Sequence, residues 1–373
     1  MSRPIWVLIL LLTTVGCSDP SSSQPEGFAG LGESLDQGAQ AQDFAQPGPG
    51  DGIQLPRDLG PHPAHRIEWW YLTANLTTEQ GTPVGLQWTQ FRQALVPRSP
   101  SDPPPASENW PLESVWMAHA ALSVDGSSQG QHLFSERVAR GDIGHAGARA
   151  QPFTVWLDDW QLTSKGDGRW HLQVDGGDWS YDLILQTRRP PVRHGEHGFS
   201  AKSGSGEGSM YFSYVDLAIA GTITVGGETQ KVSGGGWFDR EWSSQFLRSD
   251  QTGWDWMALR LDSGARVMAF RLREAGGAFS AGTWISPKHE VVPLQSADFE
   301  LEVEARRKTP RGAVPVSWRL RIPSRQVDLT IRAMPGNFWN EGLYPYWESP
   351  VRIDGSHRGR GYLELTGYDE ENP

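Results

Sequence analysis

The chain has 373 residues, and its 33 lysines and arginines against 44 aspartates and glutamates give a formal net charge of −11. Nucleic-acid binding requires clustered basic residues that displace counterions, so this balance argues against a nucleic-acid partner. The single cysteine, Cys17, leaves the rest of the chain without a disulfide framework, a thiolate metal site or a cysteine nucleophile. The remaining length suits two barrels or sandwiches better than one.

Residues 1–17 have the pattern of an export signal. A charged start, MSR, precedes the short apolar run PIWVLILLL and the small-residue segment TTVGC. The run is far shorter than the roughly 20 residues that span a bilayer. The segment resembles the lipobox of bacterial lipoproteins, although Thr14 replaces the usual leucine. We expect lipidation at Cys17 and a periplasm-facing position in the cell envelope, at the outer membrane. The alternative is an ordinary signal peptide with an incidental cysteine.

Residues 18–51 are rich in Ser, Gln, Gly, Pro and Asp, a composition that favours a flexible linker over a packed core. Beyond them the chain has an all-β pattern of short alternating runs separated by turn sequences such as SKGDG, VGGE and LDSGA. No stretch sustains a helical apolar period beyond three turns. A proline-rich segment, 96–111, is predicted to be a surface loop near a barrel mouth. The pattern predicts antiparallel barrels or sandwiches.

A weak internal repeat indicates two similar units. EWWYLTANL followed by GLQWTQFRQAL in the first half matches GWDWMALRL followed by RVMAFRLR in the second. Each hairpin opens on paired tryptophans and closes on a Phe-Arg pair. We place the join at the glycines 234–236, which gives units 52–235 and 236–373.

The segment HRIEWWY places two tryptophans side by side. On a strand, Trp69 and Trp70 point to opposite faces, and Glu68 shares the face of Trp70. If Trp70 is the inward ring, Glu68 is the carboxylate of interest; if Trp69 is, attention moves to Tyr71. With 18 tryptophans in the chain, the rings either fill barrel interiors or line a cavity for an apolar ligand.

The segment WFDREWSS has three consecutive charges between aromatic residues. Arg240 either forms a buried ion pair at a domain junction, or Asp239 or Glu241 acts as a general acid with a raised pKa in an aromatic pocket. His119, inside the apolar run VWMAHAAL, is either a satisfied core residue or a proton-transfer partner of Glu68. A metal site would require His65, His119 and Glu68 to converge, and we predict none. His194 and His197 are expected in a solvated loop.

Several of these runs together, among them IEWWYLT, WMAHAAL, GFSAKSG, GWFDREWSS, GWDWMALRLDSG and GYLELTGY, resemble the AttH-type branch of the hydroxyneurosporene synthase (carotenoid 1,2-hydratase) family. The resemblance covers about residues 55 to 369. It implies two consecutive lipocalin-like antiparallel β-barrel domains. It also implies an association with ABC transporters of the lipoprotein-export type, as for other members of this branch. It also implies protonation of an isoprenoid double bond by a carboxylic acid. Asp239 and Trp242 match that branch, but Arg240 replaces its histidine, and Met268–Arg271 holds no acid where the branch has one.

Two functions therefore compete, with a purely structural envelope adaptor as a third. The first is a lipid-anchored binding protein for a hydrophobic isoprenoid or lipid-like ligand, accessory to an ABC transporter permease. The second is a hydratase-like enzyme that adds water to an isoprenoid double bond by acid catalysis. No cofactor is implied. The candidate catalytic residues are Glu68, His119, Asp239 and Glu241; the candidate ligand-binding residues are His65, Trp69, Trp70, Tyr71, Arg92, Arg240, Trp242, Trp254 and Trp256.

Overall fold

The computed structural model of the protein describes residues 41–99, 112–124, 131–245, 247–248 and 250–369. Within these ranges the chain is nearly all β, and its helices are single 3₁₀ turns at Ala41–Asp43, Arg57–Leu59, Gly141–Ile143 and Pro323–Arg325. None of the helices in the described ranges is long and apolar enough to cross a membrane. The predicted signal segment, Cys17, most of the linker and most of the proline-rich loop lie outside the described residues.

The first sheet is antiparallel and contains thirteen strands. Its strands are Ile67–Thr78 (β1), Pro83–Ala94 (β2), Ser114–Val124 (β3), Gln131–Arg140 (β4), Ala146–Ala150 (β5), Phe153–Leu157 (β6), Trp160–Ser164 (β7), Arg169–Asp175 (β8), Trp179–Thr187 (β9), Val192–Arg193 (β10), Phe199–Ala201 (β11), Gly208–Val225 (β12) and Glu228–Ser243 (β13). The order β4-β3-β2-β1-β13-β12-β9-β8-β7-β6-β5 curls into a nearly closed barrel.

The second sheet contains ten strands and forms a half-barrel. Its strands are Gln251–Leu261 (β14), Arg266–Glu274 (β15), Gly277–Ile285 (β16), Val291–Gln295 (β17), Glu300–Thr309 (β18), Gly312–Ile322 (β19), Val327–Ala333 (β20), Trp339–Asn340 (β21), Tyr346–Gly355 (β22) and Gly359–Leu365 (β23). Their order is β17-β16-β15-β14-β23-β22-β20-β19-β18, with β21 on β22. The predicted all-β, doubly lipocalin-like fold is confirmed.

Alternation along the strands builds the barrel core. In β9, Tyr181, Leu183 and Leu185 are buried, whereas the residues between them are partly or fully exposed. On β1 the same rule directs Trp70 and Leu72 into the barrel, where Trp70 lies against Trp116 at a centroid distance of 5.7 Å. Burying such rings supplies the largest apolar areas of the core.

The join between the units lies later in the chain than the glycine-rich segment suggests. Strand β13 runs through the glycines 234–236 and pairs with β1 and β12 as far as Ser243, and the second sheet starts at Gln251. The predicted boundary between 235 and 236 thus falls within β13, and the segment between Ser243 and Gln251 separates the last strand of the first sheet from the first strand of the second. The glycines are strand residues at close approaches: a Cβ on Gly234 would meet a backbone oxygen of β1, and one on Gly235 would meet the Arg260 guanidinium.

The end of the predicted linker is packed onto the first unit. Phe44 is buried, with the Arg66 guanidinium 6.0 Å from its ring, and the carbonyl of Ala45 accepts a hydrogen bond from Ser244 Oγ at 2.5 Å. Phe44 and Ala45, within the predicted linker, therefore contact the first unit.

The outer face of the first sheet packs on the second sheet. Tyr71, Tyr211 and Trp237 from the first share an apolar cluster with Trp256 and Tyr362 from the second. Thus the face of β1 and β13 that points away from the barrel interior is also buried. This second buried face positions the candidate site.

Candidate functional site

The two motifs singled out in the sequence are neighbouring strands. In the antiparallel pairing of β1 with β13, Trp69 lies opposite Glu241, Trp70 opposite Arg240, and Tyr71 opposite Asp239. Directly paired residues share a face. Alternation therefore sends Trp70 and Arg240 into the barrel and the other two pairs toward the second sheet.

On the barrel side, Glu68 is the centre of an ionic cluster. Its carboxylate accepts hydrogen bonds from Arg92 Nε and Arg240 Nη2, and from the backbone N–H of His62 at 3.0 Å. Burial alone would raise the pKa of Glu68, but the charges of Arg92 and Arg240 hold it well below its usual range. A carboxylate that stays ionised cannot serve as a general acid near neutral pH.

Aromatic rings enclose this cluster. The Arg240 guanidinium lies 4.0 Å from the centroid of the Trp70 ring, and His62 stacks on Trp242 at 3.8 Å. His65 has its pKa lowered to about 4 by burial. Glu68 and Arg92 border the cavity described next, whereas Trp70, Arg240, Trp242 and His65 contribute no side chain to its described lining. The predicted ligand-binding role of these four residues has no support in the geometry, because they belong to the barrel side.

A cavity of about 500 Å³ lies between the two sheets. Apolar atoms make up most of its exposed wall, and the lining also includes charged side chains such as Arg66, Glu68, Arg92, Glu207 and Arg248. Such a composition is typical of pockets for small apolar molecules. The apolar and aromatic residues of the lining include Trp69, Tyr71, Phe91, Tyr211, Trp254, Trp256, Phe270, Leu272 and Tyr346, and its titratable residues include Asp239, Glu241, Glu364 and Lys202.

The two halves of the weak repeat face each other across this cavity. Trp69 pairs with Phe91 in the β1–β2 hairpin, and Trp256 pairs with Phe270 in the β14–β15 hairpin. All four rings line the cavity, and Trp256 meets Tyr71 edge-on at 5.4 Å. The repeated hairpins therefore supply equivalent aromatic pairs to the two walls.

Asp239 is the most unusual titratable group of the cavity. Its Oδ1 accepts hydrogen bonds from Tyr211 Oη at 2.9 Å, from Trp237 Nε1 at 2.7 Å and from Ser213 Oγ. Its Oδ2 is buried and has no partner among the described residues. Burial raises the pKa of Asp239 to about 7, against the opposing effect of the three hydrogen bonds. With three donors on Oδ1, the acidic proton belongs on Oδ2.

Two neighbouring carboxyls with raised pKa values lie on the second sheet, and one of them, Glu364, lines the opposite wall of the cavity. Glu364 accepts a hydrogen bond from Trp254 Nε1 at 2.5 Å, and burial raises its pKa to about 7. Glu348, its direct partner on β22, accepts a hydrogen bond from Tyr71 Oη, and burial raises its pKa well above the usual range. Two carboxyls side by side in an apolar site cannot both ionise easily.

Glu241 is the charged acid of the cavity. It lies 2.9 Å from Lys202 Nζ and accepts a hydrogen bond from Ser209 Oγ. Lys202 Nζ also lies 4.3 Å from the centroid of Phe270. This ion pair adds to the charged groups of the lining, which also include Glu68, Arg92 and Arg248.

The buried histidines join the two units. His119 does not meet Glu68; it contacts Glu136 at 2.8 Å and Tyr346 Oη at 3.1 Å, and burial lowers its pKa. His194, expected in a solvated loop, is fully buried between Ser213 Oγ at 2.7 Å and Thr283 Oγ1 at 2.8 Å. The expectation is wrong for His194, which the second sheet covers, whereas His197 is exposed as expected.

The described residues contain no group of three or more histidine, cysteine or acidic side chains that could hold a metal ion. The convergence of His65, His119 and Glu68 that such a site required does not occur.

Sequence reasoning missed several cavity residues, chiefly Glu364, Tyr211, Phe270 and Lys202. Glu364 left one signal, a lone carboxyl in the apolar run GYLEL. Tyr211 and Phe270 are ordinary strand residues and Lys202 follows β11; their positions in the cavity depend on the packing of one unit on the other.

The chain matches the AttH-like family model over residues 46–368. The chain belongs to the AttH-like family. A crystal structure of an AttH protein from Nitrosomonas europaea is 30% identical in sequence to this AttH-like protein. The match covers 87% of the present chain and 100% of the Nitrosomonas chain, with a TM-score of 0.76. Kievitone hydratase from Nectria haematococca is 14% identical in sequence, and the match covers 87% of the present chain and 96% of the hydratase, with a TM-score of 0.62. This likeness shows the fold alone. None of the curated proteins compared with this AttH-like protein matches it.

Proposed function

We propose that this AttH-like protein binds a neutral, hydrophobic small molecule in the cavity between its two sheets. The observation that carries the proposal is the cavity lining, in which facing aromatic pairs surround carboxyls that are uncharged below about pH 7. Uncharged carboxyls can donate and accept hydrogen bonds in an apolar site without the cost of burying a charge. An isoprenoid or lipid-like molecule with an oxygen-bearing group fits this chemistry.

The test uses N-phenyl-1-naphthylamine, a neutral apolar fluorophore, titrated into the full chain at pH 6. We expect saturable binding and energy transfer from the cavity tryptophans. Phe270→Ala should weaken the binding about tenfold, because a large part of one aromatic wall is removed.

Phe279→Ala is the matched control. Phe279 lies on the adjacent strand, 6.3 Å from Phe270, but is not part of the described lining. It should leave the affinity within about twofold. Equal losses in the two variants would contradict the cavity as the binding site, and no retained apolar molecule in native mass spectrometry would count against the function.

The second candidate is an acid-catalysed hydratase, and Asp239 is the specific observation that favours it. In this reaction Asp239 Oδ2 transfers its proton to one carbon of a carbon–carbon double bond, and the other carbon becomes cationic. The faces of Trp69 and Trp256 stabilise that cation. A water molecule then forms the new C–O bond and returns a proton to the Asp239 carboxylate, so that the net reaction adds one water. The kievitone hydratase named above has this fold and, by its name, such a reaction.

Asp239→Asn tests this candidate, since it keeps the shape and the hydrogen bonds to Oδ1 but has no acidic proton. The substrate probe is a prenylated phenol in ¹⁸O-labelled water, with product mass as the readout. We expect a gain of one labelled water with the unmodified chain and a loss of about 100-fold or more in Asp239→Asn. Glu241→Gln, in the same cavity, should retain activity. No gain with the unmodified chain, or equal activity in Asp239→Asn, excludes Asp239 as the acid.

We also propose that Cys17 is lipidated, that the protein resides in the cell envelope, and that it serves an ABC transporter permease. The support is the lipobox resemblance and the family resemblance. Radiolabelled palmitate should label the unmodified chain but not Cys17→Ser, and co-purification from detergent should recover a permease. Absence of labelling would remove the membrane part of the proposal without affecting the cavity.

A further inference from the structure

Five arginines form one continuous row across the second sheet. Their strands are neighbours, and Arg266 of β15 pairs with Arg260 of β14, which pairs with Arg360 of β23; Arg360 pairs with Arg352 of β22, and Arg352 with Arg332 of β20. Directly paired residues of antiparallel strands point to the same face. We call this row the arginine ladder; at about 4.8 Å per strand it is about 19 Å long.

The inner end of the ladder lies at the junction of the two units. Arg266 Nη2 is 3.2 Å and Arg260 Nη2 is 3.6 Å from Asp216 Oδ1 of the first sheet. The same carboxylate also lies 3.4 Å from Arg189 Nε. One carboxylate therefore serves three guanidinium groups, and this end is already used for docking the units.

The outer end of the ladder faces solvent. Arg332, Arg352 and Arg360 are exposed. Arg360 Nη1 donates to a neutral acceptor, Thr77 Oγ1, at 3.3 Å, and Arg332 Nη1 lies 3.3 Å from Asp354. Like charges directly opposite one another destabilise a sheet. The row places three guanidinium groups in register on a face that also carries Asp328, Asp354 and Glu300.

Other arginines of the same sheet show the usual arrangement. Arg319 is bidentate to Asp328 at 2.7 and 2.8 Å, and Arg321 lies 2.8 Å from Glu300. These pairs, like that of Arg332 with Asp354, show that the sheet provides carboxylates for its arginines. The outer ladder differs in placing three cations in register with one another.

We propose that the outer end of the arginine ladder, formed by Arg332, Arg352 and Arg360, binds a phosphate-type oxyanion. The planar guanidinium fork matches phosphate oxygens with two parallel hydrogen bonds, and neighbouring forks at strand spacing contact oxygens of one group or of adjacent groups. Binding of an anion relieves the repulsion within the row. The phosphate belongs either to a soluble phosphate compound or to a lipid head group, since both present the same oxyanion.

The experiment compares Arg352→Gln/Arg360→Gln with Arg319→Gln/Arg321→Gln, which changes the net charge of the same sheet by the same amount. Pyrophosphate is titrated calorimetrically into the full chain at low salt. In parallel, the chain is sedimented with phosphatidylcholine vesicles that contain or lack phosphatidylglycerol. We expect the ladder variant to lose affinity about tenfold or more and the control to change less than about threefold.

Binding to pyrophosphate that is lost in the ladder variant supports the site and identifies a soluble source. Binding only to vesicles with phosphatidylglycerol, lost in the same variant, supports the site and identifies lipid head groups. Absence of binding in both arms, or equal losses in ladder and control variants, overturns the proposal. If thermal unfolding shows that the double variant is not folded, Arg352→Lys replaces it. This substitution keeps the positive charge, and it should weaken binding because lysine lacks the planar guanidinium fork.

Discussion

Glu68 and Asp239 are two buried carboxyls on paired strands, yet their acidities move in opposite directions. Glu68 faces the barrel and has a pKa well below its usual range, whereas Asp239 faces the cavity and has a pKa of about 7. Both are almost fully buried. The difference lies in the partners: two arginines contact Glu68, and three uncharged donors contact Asp239 Oδ1. Burial by itself does not decide whether a carboxyl is a structural anion or an acid; the neighbouring charge does.

The comparison extends to the two strands as a whole. One face of β1 and β13 carries ionic and aromatic groups that fix the barrel, and the other carries the groups able to bind or protonate a ligand. A stability defect is therefore expected from changes on the first face, and a change in binding or in pH dependence from changes on the second.

The largest effect is expected from Arg240→Met. Removing one of the two arginines leaves the Glu68 carboxylate buried with a single cationic partner, which should cost about 3–5 kcal/mol of unfolding free energy. Urea unfolding at pH 7 measures it. The triple variant Glu68→Leu/Arg92→Met/Arg240→Met should recover more of the loss, since it removes all three buried charges of the cluster. A loss below about 1 kcal/mol in Arg240→Met would show that the cluster is not an interdependent unit.

Substitutions of Trp69 and Trp70 should also differ in effect, one changing ligand binding and the other stability. Trp70→Ala should cost about 3–5 kcal/mol, because the ring is fully buried in the barrel. Trp69→Ala should cost less, since its ring is only partly buried, but should weaken binding of N-phenyl-1-naphthylamine. Unfolding and fluorescence titrations on both variants check the pair. Similar profiles in the two would contradict the assignment of their faces.

Asp239→Asn should stabilise the protein at high pH. The folded pKa of about 7 exceeds the unfolded value of 3.8, so the unmodified chain loses stability as the pH rises between these values. Asparagine removes this ionisation, and the gain should reach about 3–4 kcal/mol at pH 8 and vanish near pH 4. Glu68→Gln should show the opposite dependence, because the stability from Glu68 is lost as the pH falls. Urea unfolding at pH 4, 6 and 8 tests both, and a gain independent of pH would argue against the raised pKa.

The smallest effect concerns binding. The affinity for N-phenyl-1-naphthylamine should fall about tenfold from pH 6 to pH 8, because ionised Asp239 and Glu364 place charge in an apolar cavity. The fall should be absent in Asp239→Asn/Glu364→Gln. An unchanged affinity in the unmodified chain would place the fluorophore away from both carboxyls.

Much of the fold was predictable from local pattern. Alternating runs and turn sequences predicted an all-β chain, and the repeated hairpins correspond to β1–β2 and β14–β15. The join was misplaced, because glycine at a close backbone approach has the same sequence appearance as glycine in a linker. His194 was misassigned for a related reason. A glycine-rich sequence predicts a solvent-exposed loop, and the local pattern does not show that a distant sheet covers His194.

The sequence pattern made Glu68 the carboxylate of interest if Trp70 is the inward ring. Trp70 is the inward ring, and Glu68 on its face is an ion-paired anion at the border of the cavity, whereas Trp69, Tyr71 and Asp239 line the cavity from the other face. The same alternation divides Asp239, Arg240 and Glu241, so that the two interpretations of that segment, ion pair and acid, each apply to one face.

The sequence by itself determined which side chains share a face, because strand geometry alternates residues regardless of their surroundings. It also determined the family, through long ordered motifs. Only the tertiary structure decided what each face meets. The pKa of a carboxyl and the existence of the cavity depend on side chains from strands more than 100 residues apart, whose proximity follows from the packing of one sheet on the other.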